Sequence, residues 1–120
     1  MQIRKSKKTL LSISKKEKYM DSQYKKGVLD LCVLSQLVDG DKYRYELTEA
    51  ISKELEVTAG TLYLILKRMK DNGYVDTYLV ESTSGPARKY YHLTAAGKKK
   101  QKEQKEEWLE FVKKAGKLMR

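Results

Sequence analysis

The apolar periodicity of this 120-residue chain changes at Asn72-Gly73, and that change restricts the folds open to it more than any other feature. Upstream, apolar residues recur at helical spacing; downstream, two short runs alternate as strands do. The segment just before the change is the clearest. Thr58 is a good N-cap, Ala59 to Asp71 keeps a helical period, and Asn72-Gly73 suits the left-handed residue that ends a helix. Tyr74 to Val80 and Arg88 to Leu93 are rich in Tyr, Val, Thr and Leu, with turn material, Ser82-Thr83-Ser84-Gly85-Pro86, between them. The expectation is a helix running into a β-hairpin with a polar tip.

Two further helices precede this one. Val28, Leu31, Cys32, Leu34, Ser35 and Val38 recur at helical spacing until Asp39-Gly40-Asp41 stops them. That helix is apolar on several faces, so it is expected to be buried by its own domain on one side and by a partner on the other. Tyr43 to Leu55 forms the second, with Tyr43, Leu47, Ala50, Ile51 and Leu55 on one side. After the hairpin, Thr94 caps a last helix running to about Met119. Its first part, Lys98 to Glu107, is polar all round. Its second part carries Trp108, Phe111, Val112, Ala115, Leu118 and Met119 as a one-sided apolar stripe, which needs cover from this domain or from another chain.

Charge narrows the partner. Lys and Arg number 26 against 16 Asp and Glu, a net charge of +10, which predicts an anionic partner. Residues 1–20 hold seven of the basic residues against Glu17 alone and read as a flexible basic extension, with Met20 an alternative first residue. The longest apolar stretch, Gly27 to Val38, is broken by Asp30, Ser35 and Gln36 and falls short of the roughly 20 residues of a membrane span. The patch Leu10 to Ile13 is shorter than a signal-peptide core, so a cytoplasmic location and no membrane partner are expected.

Catalytic and metal chemistry find no support. Cys32, the single cysteine, lies among Leu29, Leu31, Val33 and Leu34 and reads as a buried structural thiol. His92 has no Cys or second His nearby, which favours a strand or hydrogen-bonding role over a metal ligand. No nucleophile with an identifiable base, no Gly-rich phosphate loop and no zinc spacing occurs, so the chain reads as a non-enzyme with no cofactor and no metal. Glu106-Glu107 beside Lys102 and Lys105 read as surface ion pairs at helical spacing.

The order of three helices and a two-stranded hairpin is that of a winged helix-turn-helix. The expected fold is therefore mainly α with a small β-hairpin, a DNA-binding domain over residues 21–93 and a dimerisation helix over 94–120. At about 100° per residue, Leu62, Ile65, Leu66 and Met69 share one face of the third helix, leaving Gly60, Tyr63, Leu64 and Lys67 opposite and Thr61 and Arg68 at the edge. Bulky Tyr63 and Leu64 on an outward face are explained by base edges: Leu64 against a thymine methyl, Thr61 or Tyr63 hydrogen-bonding a base or phosphate. Lys67 and Arg68 would neutralise phosphates or reach guanine. The candidate DNA contacts are thus Thr58, Gly60, Thr61, Tyr63, Leu64, Lys67 and Arg68, joined by Arg88 and Lys89 of the hairpin. Leu29 and Val33 of the first helix, with Trp108, Phe111, Val112, Ala115 and Leu118 of the last, are the candidate dimer contacts.

The run Gly60-Thr61-Leu62-Tyr63, then Leu66-Lys67-Arg68-Met69 and Asn72-Gly73-Tyr74-Val75, resembles the recognition helix of the PadR family of transcriptional regulators. Gly85-Pro86-Ala87-Arg88-Lys89-Tyr90-Tyr91-His92-Leu93-Thr94-Ala95-Ala96-Gly97 is similar to the same family's wing and its exit into the next helix. Lys26-Gly27-Val28-Leu29 and Tyr43-Arg44-Tyr45-Glu46 fit its first two helices, so the likeness spans about residues 21–97. Two residues depart from the pattern: Arg44 stands where the family usually has Gly, and Leu64 where it usually has Pro. The short C-terminus resembles the smaller subfamily, which has a single C-terminal helix. The resemblance implies a homodimeric repressor on an inverted-repeat operator in double-stranded DNA, relieved by a small molecule or a stress signal. A small aromatic or hydrophobic effector in a dimer-interface cavity is part of what it implies, with Trp108 either lining that cavity or anchoring the dimer. The competing readings are a winged-helix interaction module without DNA binding, such as an anti-repressor, and a basic RNA-binding protein suggested by residues 1–20.

Overall fold

The computed structural model describes residues 27–120. The basic extension expected over residues 1–20, and Met20 with it, lie outside the described residues. Residues 27–36 form helix α1, followed by strand β1 (Lys42–Tyr43), helix α2 (Arg44–Ser52) and helix α3 (Ala59–Asp71). Strands β2 (Val75–Val80) and β3 (Arg88–Leu93) and the long helix α4 (Ala95–Leu118) complete the chain. Two compact units divide it at Leu31. In the first, the described part is 27–30, a helical turn with Leu29 buried; the second, residues 31–120, holds the elements that follow.

Each end of α3 is fixed locally. The Thr58 hydroxyl accepts the Thr61 N–H at 3.1 Å, satisfying one of the free amides of the first turn. At the other end Tyr74 N–H donates to the Met69 carbonyl at 2.9 Å and Gly73 N–H to that of Lys70 at 3.0 Å. This is a Schellman cap, and it requires the left-handed φ of +80° that Gly73 adopts without strain. Between the caps Leu62, Ile65, Leu66 and Met69 are buried, and with Leu47 and Ile51 of α2, Leu34 of α1, Leu37 just beyond it, and Val75, Tyr91 and Leu93 of the sheet they make the core of this unit. Each of the fully buried leucines contributes about 2 kcal/mol relative to leaving it exposed.

The sheet has three strands in the order β1-β3-β2, all antiparallel. The expected two-stranded hairpin is present, and the short β1 is added to its far edge, pairing Lys42 with Tyr91 and Tyr43 with Tyr90. A two-residue strand carries no alternation for sequence reasoning to detect, and Tyr43 shares the apolar face of the helix that follows. The second helix accordingly starts one residue later than the apolar spacing predicts and ends at Ser52, ahead of Leu55. Lys42 Nζ donates to the Gln36 carbonyl at 2.6 Å, so β1 also caps the end of α1.

Thr94 ties the hairpin to α3 and starts α4. Its N–H donates to the Tyr74 carbonyl at 3.0 Å, its hydroxyl donates to the Gly73 carbonyl at 2.7 Å, and the same oxygen accepts the Gly97 N–H at 3.0 Å. Gly97 is buried at this junction, where a Cβ would run into the Tyr74 carbonyl oxygen. The polar first half of α4 returns to α1, with Gln101 Nε2 donating to Ser35 Oγ at 3.0 Å. Beyond it the helix runs out with Phe111 55%, Val112 45% and Leu118 88% exposed. No helix among the described residues is long and apolar enough to cross a membrane.

Candidate nucleic-acid interface

The outward face of α3 carries Gly60, Thr61, Tyr63, Leu64 and Lys67, all exposed, with Arg68 half-buried at its edge. Leu64 is 61% exposed, an apolar side chain in water at the centre of a rigid helix face. Lys67 Nζ lies 3.5 Å from Asp71 Oδ2, one turn on, and both side chains are exposed. An exposed pair of this kind is worth little, so Lys67 can exchange Asp71 for a stronger anion. Thr58 differs from its neighbours: its hydroxyl accepts from the Thr61 amide and donates to Thr61 Oγ1 at 3.0 Å, so its polar capacity serves the cap.

Arg88 and Lys89 open β3 at the base of the hairpin tip, both exposed. The sheet brings them to α3. Together with Tyr63 and Ala59 of α3 they border a cleft of about 590 Å³, whose other wall is Arg44, Tyr45 and Thr48 of α2 with Tyr43 of β1. The structure thus gathers Tyr63, Arg88 and Lys89 around one space, while Leu64, Lys67 and Arg68 lie farther along α3. Arg44 and Tyr45 line the same cleft and were missed as candidates by sequence reasoning. The usable signal was the Tyr43-Arg44-Tyr45 alternation, a cation between two rings at a helix start.

Tyrosines dominate the sheet's outer face. Tyr45 stacks on Tyr43 (6.2 Å between centroids), Tyr43 meets Tyr90 (5.4 Å) and Tyr90 stacks on Tyr78 (5.8 Å). The row ends at Asp41, which accepts the Tyr78 hydroxyl at 2.6 Å and lies 2.9 Å from His92 Nδ1. Those two hydrogen bonds, Tyr78's first, hold the Asp41 carboxyl below its ordinary value, and the same bond pushes the Tyr78 hydroxyl up. His92 therefore takes the strand and hydrogen-bonding position expected of it. Burial raises the Tyr91 hydroxyl, partly offset by the charge of Arg44. Cys32 is half-buried, not fully buried as expected, and that partial burial still raises its thiol, which disfavours the reactive thiolate.

Of the candidate dimer residues, Leu29 and Val33 are buried within the single chain, Trp108 and Ala115 are half-buried, and Phe111, Val112 and Leu118 are exposed. Trp108 and Phe111 touch, with centroids 6.0 Å apart.

The profile of the PadR-like family of transcriptional regulators matches residues 33–103, from α1 through the hairpin into the first turns of α4. The chain belongs to this family. A PadR-like transcriptional regulator from Bacillus cereus superposes with a TM-score of 0.75 at 33% identity, covering 82% of this chain and 97% of that one. A transcriptional regulator from Clostridium thermocellum gives 0.70 at 35% identity, covering 79% and 96%. An uncharacterized protein X of Lysinibacillus sphaericus is 30% identical over 89 residues, which span 71% of this chain and 82% of that protein. The PadR-like chain is accordingly a DNA-binding transcriptional regulator with a winged-helix fold, in a family of regulators and not of enzymes.

Proposed function

We propose that the protein is a homodimeric, sequence-specific repressor of transcription, acting in the cytoplasm and relieved by a small-molecule or stress signal. The observation that carries the DNA contact is the cleft itself: it puts Tyr63 of the helix and Arg88 and Lys89 of the wing on one border, beside the exposed Leu64 and Lys67. In that assignment Gly60, Thr61, Leu64, Lys67 and Arg68 face the major groove, and Arg88 and Lys89 follow the flanking backbone. Thr58 supports the contact through its cap.

The dimer rests on the exposed end of α4. Phe111, Val112 and Leu118, with Trp108 and Ala115 beside them, form an apolar stripe on a helix that runs beyond its own core. A second copy related by a two-fold axis covers it and sets two recognition helices to read an inverted repeat, with half-sites about one helical turn apart or a small multiple of that. Trp108 is placed to anchor this interface or to border an effector held within it.

The test is fluorescence-anisotropy binding to duplex DNA from upstream of its own gene against an unrelated duplex, from about 50 to 200 mM salt. Preference that survives the higher salt, at one dimer per site, supports the repressor. Equal binding that vanishes with salt, or a preference for structured RNA, refutes sequence-specific DNA recognition.

A further inference from the structure

The turn of the chain into α2 at Arg44 ends β1 after two residues, so β3 is paired on that side only at Tyr90 and Tyr91. Arg88 and Lys89 are paired on the other side alone, to Val80 and Leu79. The space left beside them is the cleft, and two guanidinium groups flank it. That of Arg44 lies 5.4 Å from the centroid of the Tyr63 ring, and that of Arg88 lies 4.6 Å from the centroid of Tyr43. A ring beneath a guanidinium holds the side chain and occupies its π surface, while the N–H donors stay available for an acceptor.

Among the described residues neither arginine enters an ion pair or donates a side-chain hydrogen bond. The carboxylates of α2 are engaged elsewhere: Glu46 Oε1 accepts the Tyr43 N–H at 3.1 Å and Glu49 Oε2 accepts the Tyr45 hydroxyl at 2.9 Å. Among the described residues no carboxylate lines the cleft. Two restrained guanidinium forks and Lys89 thus share one tyrosine-walled space with no counter-charge among the described residues, and planar forks of this kind bind oxyanions through paired charge-assisted hydrogen bonds.

We propose that Arg44 and Arg88 form a phosphate-binding cleft between α3 and the wing that seats a phosphate of the DNA backbone. The proposal rests on the assignment of α3 and β3 as the DNA-facing elements. Its chemistry is that of any phosphate ester, and the position between recognition helix and wing makes the backbone the source. Arg44 is then a DNA contact in its own right, and Tyr63 is its platform in place of a reader of base edges.

The experiment compares the full chain with Arg44→Ala, Arg44→Lys and Lys67→Ala, with thermal unfolding recorded for each. Arg44→Ala should weaken binding to every duplex and lower the slope of log affinity against log salt by about 1.8 per bound dimer, the contribution of one phosphate at each of the two subunits. Arg44→Lys should keep the slope and still bind more weakly, because the charge remains and the stacked fork is lost. If Arg44→Ala binds as tightly and as steeply as the unaltered chain while Lys67→Ala does not, the cleft is overturned and the DNA-facing assignment stands. If the unaltered chain binds no duplex, both are overturned. In a second arm inorganic phosphate is titrated into the DNA-free protein at constant ionic strength while arginine Nε resonances are followed. Joint shifts of Arg44 and Arg88 support the cleft as an oxyanion site. The same shifts with an unchanged duplex slope in Arg44→Ala assign it to a free phosphate and overturn the backbone as its source.

Discussion

Alanine placed at two glycines of α4 should move stability in opposite directions. At Gly97 a Cβ would meet the Tyr74 carbonyl oxygen and Leu93 Cδ1, a backbone atom and a buried core side chain. Neither yields cheaply. The Tyr74 carbonyl already accepts the Thr94 N–H at 3.0 Å, so pushing it aside also disturbs the residue that caps α4. Overpacking costs up to about 3 kcal/mol. A lost backbone hydrogen bond adds about 1 kcal/mol, and the better helix propensity of Ala returns about 1 kcal/mol. The net expectation for Gly97→Ala is a loss of about 3 kcal/mol, which in a domain of this size lowers Tm by more than about 10 °C. At Gly116 no atom lies within 4 Å of the added Cβ. Only the propensity and unfolded-state entropy terms remain there, and Gly116→Ala should stabilise by up to about 1 kcal/mol. Thermal and urea unfolding followed by circular dichroism, at one protein concentration for all three chains, measures both. A Gly97→Ala variant as stable as the unaltered protein would refute the close approach of α4 to the start of the hairpin.

Lys67→Ala in α3 and Arg88→Ala or Lys89→Ala in the wing should each weaken binding to all duplexes and lower the salt slope by about 1.8 per bound dimer, one phosphate from each subunit, whereas Leu64→Ala should change which sequence is preferred; unchanged affinities in all four would remove the assigned DNA face. Truncation after Glu107 removes Trp108 and the exposed stripe of α4, and the shortened chain should sediment as a monomer; a truncated chain that stays dimeric places the dimer contact elsewhere. Asp41 titrates below its ordinary 3.8 through its bonds to Tyr78 and His92, so the stability it adds is present above that value and lost as pH falls through the lowered one. Asp41→Asn should therefore be less stable than the unaltered protein at neutral pH and converge with it in acid, and equal stability at both ends would show that the Asp41 contacts add nothing.

Where contacts lie within a turn or two of the chain, the sequence alone was enough. The Thr58 hydroxyl meets the Thr61 amide, Gly73 N–H the Lys70 carbonyl and the Thr94 hydroxyl the Gly97 amide, all within one turn, so the bounds of α3 and the start of α4 follow from residue type and spacing. The same holds for the two faces of α3, because a helical period leaves no freedom in which side chains share a side. The hairpin was legible for a similar reason: a polar Gly-Pro turn joins two runs of β-formers that pair with each other.

Only the tertiary structure decided what lies between elements distant in sequence. β1 exists because β3 offers an edge to two residues that carry no strand pattern of their own. Arg44 sits over Tyr63, Arg88 over Tyr43, and Asp41 reaches Tyr78 and His92 across separations of 37 and 51 residues. Such meetings depend on how the helices pack and where the chain turns, which local propensity does not encode. Gly97 makes the same point: its sequence neighbours place it in the first turn of a helix, and only the passage of the Tyr74 carbonyl against that turn excludes a side chain there.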